Sequence, residues 1–410
     1  MLKMVDGTGI IGVDMVCPLG GTVSPPQPPN YDNIEMEGVG SLMLPNSLKA
    51  PLERLELIGN SVQGENPAPD NLQEIKSAGR FDTASGKYLI DVKVTGKNLF
   101  NLTDNYIWGW FAGYQTQISL YSVNAVVYMP CKPNTTYTIY GRTNINGNNN
   151  VKNRVATAND FPAGGTKLHN ITETQLSNPV TITTDELSKY LVIMAVTDNE
   201  CDMSTREQVL KQNVSKMMVI IGNAPTPYEP YTEQSVQIAL DEPLRGVGEY
   251  KDVLTKDGVV RKIHEQTLKK EQISMNEYNW DTKYFRLYVK PDKKIDSSIN
   301  IHELFSNMFK KFVIYKNNPN VYWIISEEEI RSIGITEADS LQVAYEKIKG
   351  FVTTNDIVVQ YPIVETTLEP LPESVQAQLQ ALHTENGITH VFVDFGEVEC
   401  GIKLTYRKEK

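Results

Sequence analysis

The sequence predicts a mainly β protein built from several parts, and three observations carry that reading. Short runs rich in Val, Ile, Tyr and Thr recur along the chain, each bounded by Gly, Asn, Pro or Asp. The 410 residues include 22 prolines and 27 glycines, an ample supply of turn formers. At Lys256-Asp257-Gly258 an Asp-Gly pair sits between two β-type runs, YKDVL and VVRKI, which is a strong hairpin signal. The length allows two or three domains with substantial cores.

Residues 1–78 read as an N-terminal attachment arm. GTGIIGVDMV is a candidate strand, and the proline-rich GGTVSPPQPPNYDN should be extended and semi-rigid. LERLELIGN alternates like a strand, and ENPAPDN is a turn-rich exit. With little core of its own, such an arm is expected to gain order by docking onto a neighbour.

Residues 79–240 read as a β-sandwich of jelly-roll type. Candidate strands are KYLIDVKVTG, QISLYSVNAVVYM, TTYTIYGRT, NPVTITT, YLVIMAV and KMMVIIG, with a short helix at STREQVLKQ. TNINGNNNVKN is expected to be an exposed loop tip. Pro225, Pro227 and Pro230 then stiffen a joint, and SVQIAL closes the domain as a half-buried strand.

Residues 241–410 read as an α+β module. The hairpin opens it, and YFRLYVK, KKFVIYK, VYWIIS, DIVVQYPIVETTLEPL, HVFVDF and GIKLTYR supply strands. Helices are expected at INIHELFSNM, at EADSLQVAYEKIKG and at PESVQAQLQALHT. The second would have Thr336 as N-cap, Leu341, Ala344, Tyr345 and Ile348 on one face, and Gly350 as its stop. The third would have Pro372 near its start.

Composition narrows the function. A net charge of −11 argues against a general nucleic-acid binder, which needs a basic surface. No run approaches the roughly 18 apolar residues of a membrane span, so membrane insertion is not expected. The start has no secretory pattern, which fits synthesis in a bacterial cytoplasm and release by lysis. Cys17, Cys131, Cys201 and Cys400 are far apart and lack metal-ligand spacing, so free thiols are expected, with no metal and no cofactor.

No catalytic motif is present: there is no nucleophile elbow, phosphate loop, H-E-x-x-H or dinucleotide fingerprint. The five histidines do not cluster, and the Glu327–Glu329 run reads as a helix start. The segment NYIWGWFAGYQ is more informative. Trp108 and Trp110, two apart, share a face if the segment is extended, and Tyr114 follows. Sugar rings stack on such aromatics. With Asn146 and Asn149 of the neighbouring loop, Trp108, Trp110 and Tyr114 form a candidate glycan site, although tryptophans in a sandwich also serve as core.

Several segments together resemble a known family. PLERLELIGNSVQGENPAPDNLQEIKSAG, GKNLFNLT, KPNTTYTIYGRT, NAPTPYEPYTE, LRGVGEYKDVL, DGVVRKIHEQTL and the closing LQALHTENGITHVFVDFGEVECGIKLTYRK are similar to tail-tip and baseplate structural proteins of phages and prophages of Gram-positive hosts. Phage-tail-like bacteriocins use similar parts. The resemblance implies a non-enzymatic virion protein, often trimeric, that contacts other tail or baseplate proteins. It also implies carbohydrate-binding-like β domains that engage cell-wall polysaccharide or teichoic acid. It carries over no catalytic residue. A purely architectural baseplate hub and a wall glycan hydrolase remain open alternatives; the latter needs two carboxylates in one cleft.

Overall fold

The structure is a computed structural model that describes residues 2–4, 10–13, 30–102, 105–143, 152–196, 202–279, 284–296, 304–308, 312–314 and 321–410. It is mainly β, as the sequence predicts. Its organising feature is a 12-stranded sheet drawn from both ends of the chain and from its middle. Tyr31–Val39 pairs along its whole length with Gly401–Glu409, which on its other edge pairs with Arg54–Ile58. Gly40, at φ 68°, makes the corner that sends the chain into Ser41–Ser47, which pairs with Gly387–Asp394. Lys87–Thr95 then joins Gly387–Asp394 to Glu233–Leu240.

This platform encloses the largest core. Leu42, Leu44, Leu52, Leu55 and Leu57 meet Ile90, Val92, Val94, Val391, Val393, Ile402 and Leu404 there, and the helix Glu373–Ala381 adds Leu379. Each fully buried Leu or Ile contributes about 2 kcal/mol relative to exposure. The segment expected to be a docking arm therefore contributes, from residue 31 onward, to the largest core. Several of its strand partners, in Gly387–Asp394 and Gly401–Glu409, lie more than three hundred residues away, and no local pattern displays them. The boundaries drawn at 78/79 and 240/241 fall between strands of this one sheet.

Two modules are inserted into the platform at pairs of adjacent antiparallel strands. The first spans residues 96–232. It leaves from Thr95 and returns at Glu233, which is Thr95's own ladder partner. A six-stranded sheet and a three-stranded sheet face each other within it, over a core that includes Val127, Ile139, Leu191, Ile193 and Val219. The second spans residues 268–357, between the paired residues Thr267 and Val358. It holds a four-stranded sheet and the helix Leu341–Thr354. Its core includes Val359, Tyr361 and Ile363 from the platform strand Val358–Pro370.

The Asp-Gly hairpin forms as expected, with Val253 opposite Val260. Asp252 beside it is fully buried. Its carboxylate accepts from the amides of Arg245 (3.0 Å), Lys262 (2.7 Å) and Ile263 (3.0 Å) and from Arg261 Nη1 (3.1 Å). A buried charge is tolerated when it is paired and bonded in this way.

Some helix details differ from expectation. Ser340, not Thr336, caps the helix Leu341–Thr354, accepting from the Val343 amide at 3.3 Å. Thr336 instead belongs to a turn closed by Asp339. Gly350 lies inside the helix, which continues one turn further. Ala344 and Ile348 are buried, whereas Leu341 in the first turn is exposed. In place of a helix at INIHELFSNM, Phe305–Ser306 pairs as a strand with Gln360 and Val359; residues 299–303 and 309–310 lie outside the described residues.

Candidate functional site

The predicted aromatic patch is in a strand, Tyr106–Ala112, and Trp108 and Trp110 do share a face. Gly109 between them lets the hairpin partner approach: a Cβ there would lie 2.1 Å from the Gln117 carbonyl oxygen. Trp108 is half-buried, leans on the sandwich core and touches Tyr106 edge-on at 5.4 Å. The Arg206 guanidinium sits over its ring at 4.0 Å and is anchored by the carbonyls of Leu120 and Ser122, both at 2.7 Å. That face of the indole is occupied by a cation–π contact and is closed to a sugar ring. Tyr114 lies in the exposed hairpin turn. Asn146 and Asn149 lie outside the described residues. The patch is thus divided between core packing and a surface tip.

A different site lies where the sandwich meets the platform. Along Lys87–Thr95 the residues Ile90, Val92 and Val94 fill the platform core, and strand alternation turns Lys93 and Thr95 to the opposite face. The same alternation in Gly387–Asp394 turns out His390 and Phe392, and in Glu233–Leu240 it turns out Glu233. The register aligns these residues in rows: Glu233 opposite Thr95 opposite His390, and Lys93 opposite Phe392. The sandwich roofs this face with Met129, Cys131, Lys132 and Tyr137, leaving a cleft of about 510 Å³.

Asn98 clamps the module at the cleft's rim. Its Nδ2 donates to the carbonyls of Met217 (3.2 Å) and Glu229 (3.1 Å), and its Oδ1 accepts from the amides of Phe100 (3.0 Å) and Val219 (3.2 Å). Lys97 adds an ion pair to Glu229 at 3.1 Å. The outgoing and returning segments are thereby tied to each other.

The cleft is amphipathic. Tyr137, Tyr231 and Phe392 supply ring surface, and Asn101 and Asn105 supply amides. Lys93 pairs with Glu233 at 2.7 Å, and the Tyr231 hydroxyl donates to the same carboxylate. Lys132 Nζ lies over the Phe392 ring at 5.2 Å. Thr95 is 1% exposed, and its Oγ1 has no hydrogen-bond partner among the described residues. An unpaired buried hydroxyl costs on the order of 1–3 kcal/mol.

The titratable groups here rest in fixed protonation states. Burial pushes the Cys131 thiol up to about 12, with Asp185 adding to it, so it is not a thiolate at neutral pH. Burial likewise pushes Tyr137 up to about 12, and Tyr231 is raised by burial and by Glu233. Burial works to raise Glu233, but Lys93 and the Tyr231 hydroxyl outweigh it and the carboxylate ends lowered. His390, 2% exposed and stacked on Phe392 at 5.9 Å, is pushed down to about 4 by burial and then by Lys132. None of these is poised near neutrality for proton transfer. The arrangement suits holding a ligand.

No family model, curated protein or solved structure matches this chain. The site therefore rests on its own chemistry. Among the described residues no group of three or more His, Cys, Asp and Glu side chains is arranged to hold a metal ion, and Cys131 and Cys400 are free thiols. Cys17 and Cys201 lie outside the described residues. No helix among the described residues is long and apolar enough to cross a membrane.

The three strands that build the cleft floor are all legible in the sequence as alternating runs. Their pairing is not, so Lys93, Thr95, Glu233 and Phe392 read as ordinary outward-facing positions. The available signal was the polar side of KVT and of the 233–237 segment, which needed the strand order to become a site.

Proposed function

We propose that this chain is a non-enzymatic structural and adhesive protein of a phage tail tip or baseplate, which binds cell-surface polysaccharide in the cleft beneath its sandwich module. The observation that carries the binding half is the cleft itself. It has ring faces for stacking and amides for sugar oxygens. The virion half rests on the sequence motifs. In this reading the platform is the scaffold, residues 1–29 dock on other tail or baseplate proteins, and several copies, a homotrimer by the resemblance, multiply a weak single site.

The test uses the full chain with wall polysaccharide purified from Gram-positive cells. Saturable binding is expected, weakened about threefold to tenfold by Tyr231→Ala, the loss of one stacking face. If a folded Tyr231→Ala variant binds like the parent, the cleft is not the site. If the parent does not bind at all, the adhesive reading falls. The architectural reading then takes its place, favoured by the strand Glu233–Leu240, which ends the path of the platform sheet and presents one edge without a ladder partner among the described residues.

A further inference from the structure

The strand Glu233–Leu240 ends the path of the platform sheet. Its inner edge pairs with Lys87–Thr95 over its whole length, without a register shift. One bond just before the strand fixes which backbone groups point where. The Thr232 carbonyl accepts from the Gly96 amide at 3.4 Å, so residue 232 faces the inner strand. Alternation then turns residues 234, 236, 238 and 240 inward, and it turns the N–H and C=O groups of Glu233, Ser235, Gln237 and Ala239 outward. The far side of Lys87–Thr95 agrees: Val393, opposite Val92, directs its amide away to the Gly40 carbonyl at 2.9 Å. Among the described residues no backbone hydrogen bond reaches the outward groups.

This edge lacks the devices that keep an edge single. EQSVQIAL contains no lysine, no proline and no bulge. Ser235, Gln237 and Ala239 are exposed, whereas Val236, Ile238 and Leu240 lie in the core. From Gln234 to Leu240 there is no charged residue, in a chain of net charge −11. The carboxylates at either end are already neutralised, Glu233 by Lys93 at 2.7 Å and Asp241 by Lys87 at 2.5 Å. A second, equally acidic copy can therefore approach along this line without setting like charges against each other.

The edge is also complementary to itself. A two-fold axis at Val236 places Glu233 opposite Ala239 of a second copy, and Ser235 opposite Gln237. Every outward N–H and C=O on both strands is then bonded, and side chains of opposed residues fall on matching faces. Moving the axis to Gln237 sets Glu233 opposite Asp241, which opposes two carboxylates and leaves fewer bonds. We propose that two copies of this chain pair antiparallel along Glu233–Leu240, joining their platform sheets across a two-fold axis at Val236. Such a contact is isologous, each copy giving the same surface. It holds whether or not the cleft binds a glycan.

The experiment is sedimentation velocity of the full chain over a concentration series, with circular dichroism melts to establish that each variant is folded. Gln237→Pro removes one outward N–H and leaves the inner ladder intact, a place where an edge strand accepts proline. It should fold as the parent does and weaken pairing by about tenfold or more, so that the mass falls by half. Two further variants carry the test should the proline disturb folding. Ser235→Glu with Gln237→Glu puts like charges opposite each other at both crossings and should also halve the mass. Ser235→Glu with Gln237→Lys puts opposite charges there and should restore it. A parent that sediments as a monomer at high micromolar concentration overturns the proposal. So does an assembly of any size that none of the variants alters. Failure of the Glu–Lys chain to recover the mass lost in the Glu–Glu chain overturns the two-fold register at Val236.

Discussion

The two inserted modules enter the platform in the same way and depend on it differently. Each begins and ends on residues that are ladder partners, Thr95 with Glu233 and Thr267 with Val358. The first module closes its own core: every buried apolar residue of its two clusters lies between residues 99 and 221. The second borrows, for its core is completed by Val359, Tyr361 and Ile363 of a platform strand. An insertion point alone therefore does not make a domain. What matters is whether the module's apolar faces can all be paired within it.

Excision breaks or sharpens this contrast with the largest effect. Replacing residues 96–232 with a two-residue Asn-Gly turn should leave a platform that melts cooperatively, and the excised module should fold alone. Replacing 268–357 in the same way should leave Val359, Tyr361 and Ile363 exposed, at about 2 kcal/mol each, and give aggregated or molten protein. Circular dichroism melts and gel filtration of the two deletions decide it. A folded second deletion beside an unfolded first would reverse the comparison.

Core truncation asks the same question at single residues. Leu191 is fully buried in the sandwich, and Leu191→Ala should cost about 2–5 kcal/mol. Hydrogen exchange should rise within residues 97–221 and nowhere else. Tyr361 lies in the shared core, donates to Gln266 Oε1 at 2.8 Å, and its ring meets His264 at 5.5 Å. Tyr361→Ala should cost about 3–5 kcal/mol and raise exchange in both 268–357 and the platform strand Gly258–Thr267. Exchange confined to the second module would mean that its core is its own after all.

Local chemistry made the elements legible, and only long-range pairing made the fold. The Asp-Gly hairpin, the alternation of SVQIAL, the helix beginning after Pro372 and most strands of the sandwich follow from neighbours in sequence. The platform does not. Leu55 and Leu57 read as an isolated amphipathic strand, because their partners Leu404 and Ile402 stand at the far end of the chain. The same limit hid the site. Trp108 and Trp110 announced themselves by residue type, yet Arg206, about a hundred residues on, covers the Trp108 ring. Thr95 carries no such signal, and its importance arises only when His390 and Glu233 are brought beside it.

Acid should separate the two joints by the smallest margin. Each has a histidine on a platform strand beneath its module: His390 under the sandwich and His264 beside the second insert. Both are held neutral. Burial is the first cause in each, reinforced by Lys132 at His390 and by Lys293 and Arg245 at His264. The unfolded chain takes up a proton near 6.5, whereas folded His390 refuses it until about 4. Between those values the unfolded state binds more protons, so this stability is complete above about pH 6.5 and is lost as the pH falls toward 4. At about 1.4 kcal/mol per unit, the loss at His390 is about 3 kcal/mol. His264 shifts in the same direction and should add to the slope. Melting between pH 7 and pH 4.5 should show a shallower acid loss in His390→Phe than in the parent, with His264→Phe flattening the curve less. An unchanged slope in His390→Phe would remove the proton linkage from the first joint. A larger effect at His264 would mean that the borrowed core, not the clamped sandwich, is the part of the molecule that acid loosens first.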